Sequence, residues 1–327
     1  MKNACSRRRA LAALGGFAFT PAWAQAGSGA AYPTRPVKIV VPFGAGGLTD
    51  IVARAIAQHL TTRLGQQVVV ENKSGASGNI GADYVAKSKA DGYTLLMGSI
   101  GTNAVNAHLF ATMPYSVKDF TAVALVASGT LMLVTNPQVP ARDLRELLAY
   151  ARANPGKLSY ASGGAGASQH LAGELLKNMA GVDIAHVPYR GLAPAVTDVV
   201  SGQVSMTFDL ATVAPFVRSG QLRPIAVANG RRSSAFPEVP TIAEAGLPGY
   251  EASAWYGLFA PAGTPQSVIA LLNAETNRAL ADPELRERLR TLGAEAIGGT
   301  PQAAQRFVDA ESLKWGEVVK KAGIRLD

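Results

Sequence analysis

The stretch Val37-Lys-Ile-Val-Val-Pro-Phe-Gly-Ala-Gly-Gly-Leu-Thr-Asp50 combines a run of β-branched residues, a glycine-rich turn and the start of an apolar-periodic segment. A second stretch, Leu158-Ser-Tyr-Ala-Ser-Gly-Gly-Ala-Gly-Ala-Ser-Gln-His170, repeats this order. Branched and aromatic residues favour strands, whereas apolar residues spaced three and four apart favour helices. Each stretch therefore predicts a strand, a glycine turn and a helix in succession.

Short β-rich runs alternate with amphipathic segments along most of the chain. The β-rich runs cover residues 37–41, 68–70, 93–97, 184–189, 204–208 and 225–228. Two helical faces are formed by Ile51, Val52, Ala55, Ile56, Leu60 and Leu64, and by Leu144, Leu147, Leu148 and Ala151. A further helix is predicted over residues 210–217. This alternation predicts an α/β fold in which helices cover parallel sheets.

Two distant segments of the chain are similar to each other. Val126-Ala-Ser-Gly-Thr-Leu-Met-Leu-Val134 leads into a proline-bracketed turn, and so does Glu251-Ala-Ser-Ala-Trp-Tyr-Gly-Leu-Phe259. Two long strands of this kind would let the chain cross between two lobes and return. We expect one lobe to contain residues 25–127 and 253–327, and the other residues 128–252. The alternative is that both segments are core strands of one large domain, because periodicity does not detect hinges.

The N-terminus has the pattern of a secretory signal peptide. Arg7-Arg8-Arg9 precede the apolar run of residues 10–19, and Ala22-Trp-Ala24 follows it. We expect cleavage after Ala24 and export to the periplasm. The alternative is a buried first helix. Cys5, the only cysteine, precedes the expected cleavage site, so disulfides and cysteine-ligated metals are not expected in the exported chain.

The charge balance gives little reason to expect a nucleic-acid partner. The whole chain carries a formal net charge of +8, but four of its basic residues precede Gln25. Basic residues are not clustered with interleaved aromatic residues, as they are in many nucleic-acid-binding proteins. We therefore expect no nucleic acid, a mixed solvated surface and a monomer.

Both glycine-rich stretches suit the binding of an anion. Glycines let the backbone approach a ligand closely, and a helix N-terminus presents unpaired N–H groups with a partial positive charge. Such a terminus binds a carboxylate without lysine or arginine, and both stretches lack these residues beyond the preceding strand. If the stretches belong to opposite lobes, a carboxylate solute would bridge them. The alternative is that both are tight turns whose polar residues cap helices.

The candidate ligand-binding residues lie in these stretches and in three further turns that follow strands. We predict a site formed by Phe43, Gly46, Gly47, Thr49, Asp50, Thr102, Asn106, Ser162, Gly163, Gly164, Gly166, Ser168, His170, Tyr189 and Asp209. Asp209 suits either a ligand amine or hydroxyl or a cap on the helix of residues 210–217. Arg190 suits either an ion pair between lobes or ligand contact.

Catalysis, a cofactor and a metal are not expected. Gly44-Ala-Gly-Gly-Leu-Thr49 lacks the third glycine of the dinucleotide fingerprint. Ser162, Ser168 and His170 include the residue types of a nucleophile and a base, but no G-x-S-x-G turn is present. His108 and His186 have no second metal-ligating residue at a suitable spacing.

Ordered motifs along the chain carry a family resemblance. They are Tyr32-Pro-Thr-Arg-Pro-Val-Lys-Ile-Val-Val-Pro-Phe43, Gly46-Gly47 with Thr49-Asp50, Val70-Glu-Asn-Lys-Ser-Gly-Ala76, Asp91-Gly-Tyr-Thr-Leu95, His186-Val-Pro-Tyr-Arg-Gly191, Gly202-Gln-Val204 and Phe259-Ala-Pro-Ala-Gly-Thr-Pro265. The chain resembles the periplasmic substrate-binding proteins of tripartite tricarboxylate transporters, also called the Bug family.

The resemblance implies a two-lobed Venus-flytrap fold of the type II-like periplasmic-binding-protein kind, with two crossover strands. It implies capture of an organic acid or acidic amino acid, with one carboxylate held by the loops at residues 43–50 and 162–170. Asp209 would lie at the variable end of the pocket. The implied partners are the membrane subunits of the transporter. A second function class, ligand sensing coupled to a membrane sensor, is equally compatible with the sequence.

Overall fold

The structure is a computed structural model that describes residues 32–323 and 325–326. The predicted signal peptide of residues 1–24 and its cleavage site after Ala24 lie outside these residues. Within the described ranges, no helix has both the length and the apolar character that a membrane span requires.

The described chain alternates strands and helices. The strands are β1 (Val37–Val41), β2 (Val68–Asn72), β3 (Thr94–Ser99), β4 (Phe120–Gly129), β5 (Met132–Thr135), β6 (Ser159–Ser162), β7 (Ala185–Pro188), β8 (Met206–Phe208), β9 (Arg223–Val227), β10 (Ala254–Pro261) and β11 (Ala294–Gly298). The α-helices are α1 (Leu48–Leu64), α2 (Asn79–Ala86), α3 (Asn106–Leu109), α4 (Leu144–Ala153), α5 (Ser168–Ala180), α6 (Leu192–Val200), α7 (Ala214–Arg218), α8 (Gln266–Ala281), α9 (Pro283–Thr291) and α10 (Pro301–Ala322). Short 3-10 turns cover Ala76–Gly78 and Val117–Asp119, and a π-helical turn covers Gly101–Val105.

The strands form two separate sheets, each with its own helices, which is the two-lobed α/β architecture. The first sheet has the order β11-β4-β10-β3-β1-β2, and the second has the order β7-β6-β8-β5-β9. The expectation of parallel sheets was wrong in part, because both sheets are mixed. β1 pairs in parallel with β2 and β3, but β10 is antiparallel to β3 and β4, and β5 is antiparallel to β8 and β9. The antiparallel strands β4, β5, β9 and β10 are those next to the points where the chain changes sheet.

The chain changes sheet between β4 and β5 and returns between β9 and β10. The prediction of one continuous strand over residues 126–134 was wrong, since the pairing stops at Gly129 and resumes at Met132 with different partners. The two passages are joined side by side. The Leu131 N–H donates to Asn229 Oδ1 at 2.8 Å, and the Ala228 N–H donates to the Leu131 carbonyl at 2.7 Å.

The predicted apolar helix faces lie in the cores. Val52, Ala55, Ile56 and Leu60 of α1 are buried, as are Leu144, Leu147, Leu148 and Ala151 of α4. The predicted helix over residues 210–217 was wrong in its start, because α7 begins only at Ala214. Asp209 Oδ2 accepts hydrogen bonds from the Thr212 N–H and hydroxyl, and this local turn replaces the first helical turn.

Candidate functional site

Three helices begin around one cavity between the two sheets. α1 follows β1, α5 follows β6 and α6 follows β7, and their first residues, Leu48, Ser168 and Leu192, all line the cavity. Each of these turns follows the carboxyl end of a parallel strand, β1 in the first sheet and β6 and β7 in the second. Open α/β sheets bind their ligands at such strand ends. The cavity volume open to the centre of a water molecule is ≈ 60 Å³.

The three helix N-termini have no side-chain caps. Their N-cap residues are Gly47, Ala167 and Gly191, and none of them accepts a hydrogen bond from the helix through its side chain. Away from this cavity, α4, α9 and α10 are capped by the side chains of Asp143, Asp282 and Thr300, whereas α2 and α8 also begin without a side-chain cap. The first N–H groups of a helix need an acceptor. At this cavity an anionic ligand can supply it.

Lysine and arginine are absent from the described residues that line this cavity, and its charged residue is Asp209. The polar side chains on its wall are Thr49, Ser99, Ser168, Gln169, Asp209 and Tyr256. Backbone N–H groups, hydroxyls and the Gln169 amide are therefore the hydrogen-bond donors at this cavity. Such groups favour a carboxylate without the point charge of a cation.

The first glycine loop (residues 42–47) is held by a charged network behind the cavity wall. Asp50 Oδ2 accepts from the Gly46 N–H at 3.1 Å and from Arg54 Nε at 3.0 Å. Asn72 Nδ2 donates to Asp50 Oδ1 at 3.0 Å and to the Phe43 carbonyl at 3.1 Å. Burial raises the pKa of Asp50, but the hydrogen bonds from Arg54, Gly46 and Asn72 outweigh burial and hold that pKa below its ordinary value.

The second glycine loop (residues 163–167) is held by neutral groups. The Gly166 N–H donates to His170 Nδ1 at 3.0 Å, and the Gly164 N–H donates to Ser162 Oγ at 3.2 Å. Ser162 Oγ also lies 2.7 Å from His186 Nε2. Burial, followed by the charge of Lys177, lowers the pKa of His170 to about 4. Burial and the neighbouring His170 lower the pKa of His186 to about 3.

Asp209 and Tyr256 line the part of the cavity formed by the ends of β8 and β10. Asp209 is 3% exposed, and Thr212 donates two hydrogen bonds to its Oδ2 at 2.6 and 2.7 Å. It therefore both faces the cavity and stabilises the turn before α7, although it is not the N-cap of α7. Burial raises the pKa of Asp209, while the Thr212 hydrogen bonds oppose this shift. Tyr256 shares a side-chain hydrogen bond with Thr49. Burial, and then the nearby charge of Asp209, raise the pKa of Tyr256.

The predicted site residues divide into a group at the cavity and a group behind it. Phe43, Gly47, Thr49, Gly163, Ser168 and Asp209 line the cavity. Gly164 and Tyr189, together with Phe43 and Gly163, line a second, adjoining cavity of ≈ 440 Å³. Gly46, Asp50, Thr102, Asn106, Ser162, Gly166 and His170 line neither of these two cavities. The structure places this last group in the hydrogen-bonded layer that supports the walls.

Thr102 and Asn106 illustrate this supporting layer. Thr102 Oγ1 accepts from the Ser99 N–H at 3.1 Å and donates to Asn103 Oδ1 at 2.7 Å. Asn106 Nδ2 donates to the Ser77 carbonyl at 3.0 Å and to Asn79 Oδ1 at 2.7 Å. The end of β3 and the turn after it reach the smaller cavity through Ser99 and Ile100 instead.

The adjoining cavity opens beside the first and shares Phe43, Gly44, Gly163 and Gly191 with it. Arg190 lies on its wall, is exposed, and forms no ion pair within 4.0 Å among the described residues. The Tyr189 hydroxyl donates to Asp198 at 2.5 Å. We identify the smaller cavity as the candidate ligand site, because the three uncapped helix N-termini meet there.

Sequence reasoning missed Tyr256, Ile100 and the N-terminus of α6 as parts of the cavity wall. Gly191 had a usable signal, because it follows a strand and precedes a helix without a capping side chain. Tyr256 had none, since it lies within a strand and reaches the site only through the packing of β10 between β3 and β4. Among the described residues, no group of three or more His, Cys, Asp or Glu is placed to hold a metal ion.

Comparison with known proteins identifies the family of the chain. The family profile TctC, described as the tripartite tricarboxylate transporter family receptor, matches residues 52–324. Protein BugT of Bordetella pertussis is 40% identical over 321 residues, covering 97% of this chain and 98% of BugT.

Two similar solved structures contain carboxylates. The R. palustris protein Rpa4515 with adipate superposes with a TM-score of 0.87 at 43% identity, covering 90% of this chain and 99% of that chain. MatC (Rpa3494) from Rhodopseudomonas palustris with bound malate gives a TM-score of 0.84 at 38% identity, covering 88% and 100%. The predicted Bug-family resemblance and periplasmic-binding-protein fold are confirmed, and the family is one of binding receptors, not enzymes. The chain therefore belongs to the tripartite tricarboxylate transporter receptor family.

Proposed function

We propose that this chain captures a small carboxylate-bearing solute, an organic acid or acidic amino acid, and presents it to the membrane subunits of a tripartite tricarboxylate-type transporter. The observation that carries this proposal is the convergence of three uncapped helix N-termini on one cavity without a cationic side chain. The relatives with adipate and with malate support a carboxylate ligand.

The cavity offers different chemistry at its two ends. One carboxylate would accept hydrogen bonds from the N-termini of α1, α5 and α6, with the hydroxyls of Thr49 and Ser168 nearby. Asp209 and Tyr256 would face the remainder of the solute. An ionised Asp209 accepts from an amine or hydroxyl and repels a second carboxylate, whereas a protonated Asp209 donates to one. Asp209 therefore would select among solutes that share the first carboxylate.

We further propose that the solute closes the two lobes, residues 25–127 with 253–327 and residues 128–252. The change of sheet between Gly129 and Met132 supports a passage between lobes close to the first limit, although Ser128 and Gly129 still pair within the first sheet. Close contacts across the cleft support closure. A β-carbon at Gly101 would lie 2.8 Å from the Gly166 carbonyl oxygen, and one at Gly44 would lie 3.4 Å from the Arg190 carbonyl oxygen. A solute that touches both sides gains contacts only when these lobes meet.

The test is a thermal-shift and calorimetry screen of the chain from Gln25 onward against di- and tricarboxylates, acidic amino acids and aromatic acids. Adipate and malate belong to the panel. A binding solute raises Tm by mass action and should remain chemically unaltered after long incubation. Small-angle scattering should show a smaller radius of gyration in the complex. Failure of every carboxylate to bind, or turnover of a bound acid, would contradict the proposal.

The periplasmic location and the transporter partner need a separate test. We expect mass spectrometry of a periplasmic fraction to find a chain that begins at Gln25. Deleting the gene should abolish uptake of the solute found in the screen, and restoring it should recover uptake. A chain that retains residues 1–24, or unchanged uptake after deletion, would contradict the corresponding part of the proposal.

A further inference from the structure

Behind the second glycine loop, two histidine rings are stacked in the interior of the second lobe. The rings of His170 and His186 have centroids 4.1 Å apart and planes inclined by 21°. Tyr160 stacks on the other side of His186, with centroids 4.9 Å apart. His170 is on α5 and His186 is on β7, so the pair links two elements on either side of the loop.

The hydrogen bonds fix the tautomer of His170, and one tautomer of His186 satisfies all of its neighbours. His170 Nδ1 accepts from the Gly166 N–H, so its proton must be on Nε2. Ser162 Oγ contacts the Gly164 carbonyl at 3.0 Å, the Gly164 N–H at 3.2 Å and His186 Nε2 at 2.7 Å. A serine hydroxyl has one proton and two lone pairs. All three contacts are satisfied together when Ser162 donates to the carbonyl and His186 donates through Nε2.

The Ser162–His186 contact does not have the setting of a catalytic pair. Ser162 has 0% exposure, and its hydroxyl already bridges both backbone polar groups of Gly164. His186 acts as a donor in this arrangement, whereas activating a nucleophile would require it to accept the serine proton. The residues are therefore placed to shape the backbone and not to attack a substrate.

We propose that His170 and His186 are positioning residues, which hold the second glycine loop in the shape that binds the carboxylate. This inference rests on the proposed function. His170 fixes Gly166, which packs on Gly101 across the cleft, and His186 fixes Gly164 through Ser162. The backbone held at Gly164 and Gly166 leads directly into Ala167, the N-cap of α5, whose N-terminus has no side-chain cap. Loss of the His170 ring would leave the Gly166 N–H without an acceptor, and loss of the His186 ring would leave the Ser162 hydroxyl without this partner. The loop would then shift until these groups found other partners.

The experiment uses four variants of the chain from Gln25 onward. His170→Leu and His186→Leu keep apolar bulk. The first removes the acceptor of the Gly166 N–H, and the second removes the donor to the Ser162 hydroxyl. His170→Asn and His186→Gln restore an amide acceptor or donor at a similar reach. Hydrogen exchange of the peptide covering residues 162–170 is measured without solute, and affinity for adipate is measured by calorimetry. We expect at least tenfold faster exchange and about tenfold weaker binding in the leucine variants, with recovery to within threefold in the amide variants.

Tyr160→Phe is the matched control. It keeps the ring that stacks on His186 and removes the hydroxyl, which donates to Glu174 at 2.7 Å and lies 3.4 Å from the His170 carbonyl, but makes no hydrogen bond to residues 163–167 or to either histidine ring. We expect a lower Tm for this variant, with exchange of residues 162–170 and adipate affinity unchanged.

Three results would overturn the inference: wild-type exchange in the leucine variants, no recovery in the amide variants, or equal loop loosening in Tyr160→Phe. If adipate does not bind the wild-type chain, the exchange measurement alone decides whether the histidines position the loop. The proposed function is then judged separately, by the carboxylate screen.

Discussion

The two glycine loops place a helix N-terminus at the same cavity, but they are held by different chemistry. In each, the third residue of the following helix accepts a hydrogen bond from a loop glycine four residues earlier. Asp50 accepts from the Gly46 N–H, and His170 accepts from the Gly166 N–H. The first acceptor is an anion paired with Arg54, whose side chain is half exposed, and the second is a buried neutral ring stacked on His186.

This difference shows that the loop geometry, and not the charge behind it, is the common requirement. A carboxylate such as Asp50 is stabilised by the exposed arginine and by Asn72. Behind the second loop, the nearby cation Lys177 is paired with Glu174 at 2.7 Å, and His170 stacks on His186 instead. A neutral imidazole provides the acceptor without the cost of burying an unpaired charge.

The largest expected effect comes from filling the space that both loops leave for the solute. Gly47 and Gly163 line the cavity and lack the positive φ that would itself disfavour a side chain. We expect Gly47→Val and Gly163→Val each to weaken adipate binding by more than about 100-fold, because the isopropyl group enters the ligand space. Calorimetry measures the affinity, and Tm checks the fold. Wild-type affinity in either variant would show that the corresponding loop does not contact the solute.

A smaller effect is expected from a methyl group at the contact between lobes. Gly101 lies across the cleft from the second loop, and its new β-carbon would press on the Gly166 carbonyl at 2.8 Å. We expect Gly101→Ala to weaken adipate binding about tenfold and to raise the dissociation rate, because full closure is prevented. Stopped-flow kinetics and scattering of the complex measure this. A normal radius of gyration and affinity in the complex would mean that closure does not require this contact.

The groups that hold the two loops should lose their stabilising effect at different pH values. The pKa values of His170 and His186 fall to about 4 and about 3 in the folded chain, so the unfolded chain binds more protons once the pH drops below about 6.5. Stability is therefore lost as pH falls from about 6.5 toward those values. The pKa of Asp50 is lowered, so its stabilisation persists until the pH falls below its unfolded value of about 3.9.

We expect the Tm of the wild-type chain to fall between pH 7 and 5 by about 5 °C more than that of a His170→Asn/His186→Gln variant. Glu174 and Lys177 lie near the histidines and remain in both chains, so they cancel in the comparison. Asp50→Asn should leave the slope over this range unchanged. Equal slopes in the wild-type chain and the double-histidine variant would show that the histidines are not protonated more readily on unfolding.

The smallest effect is expected at Arg190. Its guanidinium is exposed at the adjoining cavity, where salt screens its interaction with a bound carboxylate. We expect Arg190→Gln to change adipate affinity by less than about twofold at physiological ionic strength, with a larger change at low salt. A tenfold loss at physiological salt would mean that an ion pair, and not backbone dipoles, holds the carboxylate.

Local patterns in the sequence were sufficient for the strand–loop–helix units and for the family. The run Val37–Val41 is β1 as predicted, and both glycine loops lead into helices. These features depend on residues close together in the sequence, and the apolar periodicity and the turn residues therefore indicate them directly. The same patterns gave a wrong start for the helix near Asp209, because the Asp209–Thr212 turn competes with helix formation there.

The tertiary structure decided which polar residues face the cavity and which support it. Ser162 and His170 were predicted as ligand residues, yet they lie behind the loop, and His186 joins them from a separate strand. Tyr256 reaches the site from β10, which is far along the chain from either loop. The sequence by itself determined the local strand–loop–helix units, and it predicted that their turns bind an anion. Strand order, the passage between sheets and the packing across the cleft determined the rest, because these contacts join residues whose separation leaves no periodic signal.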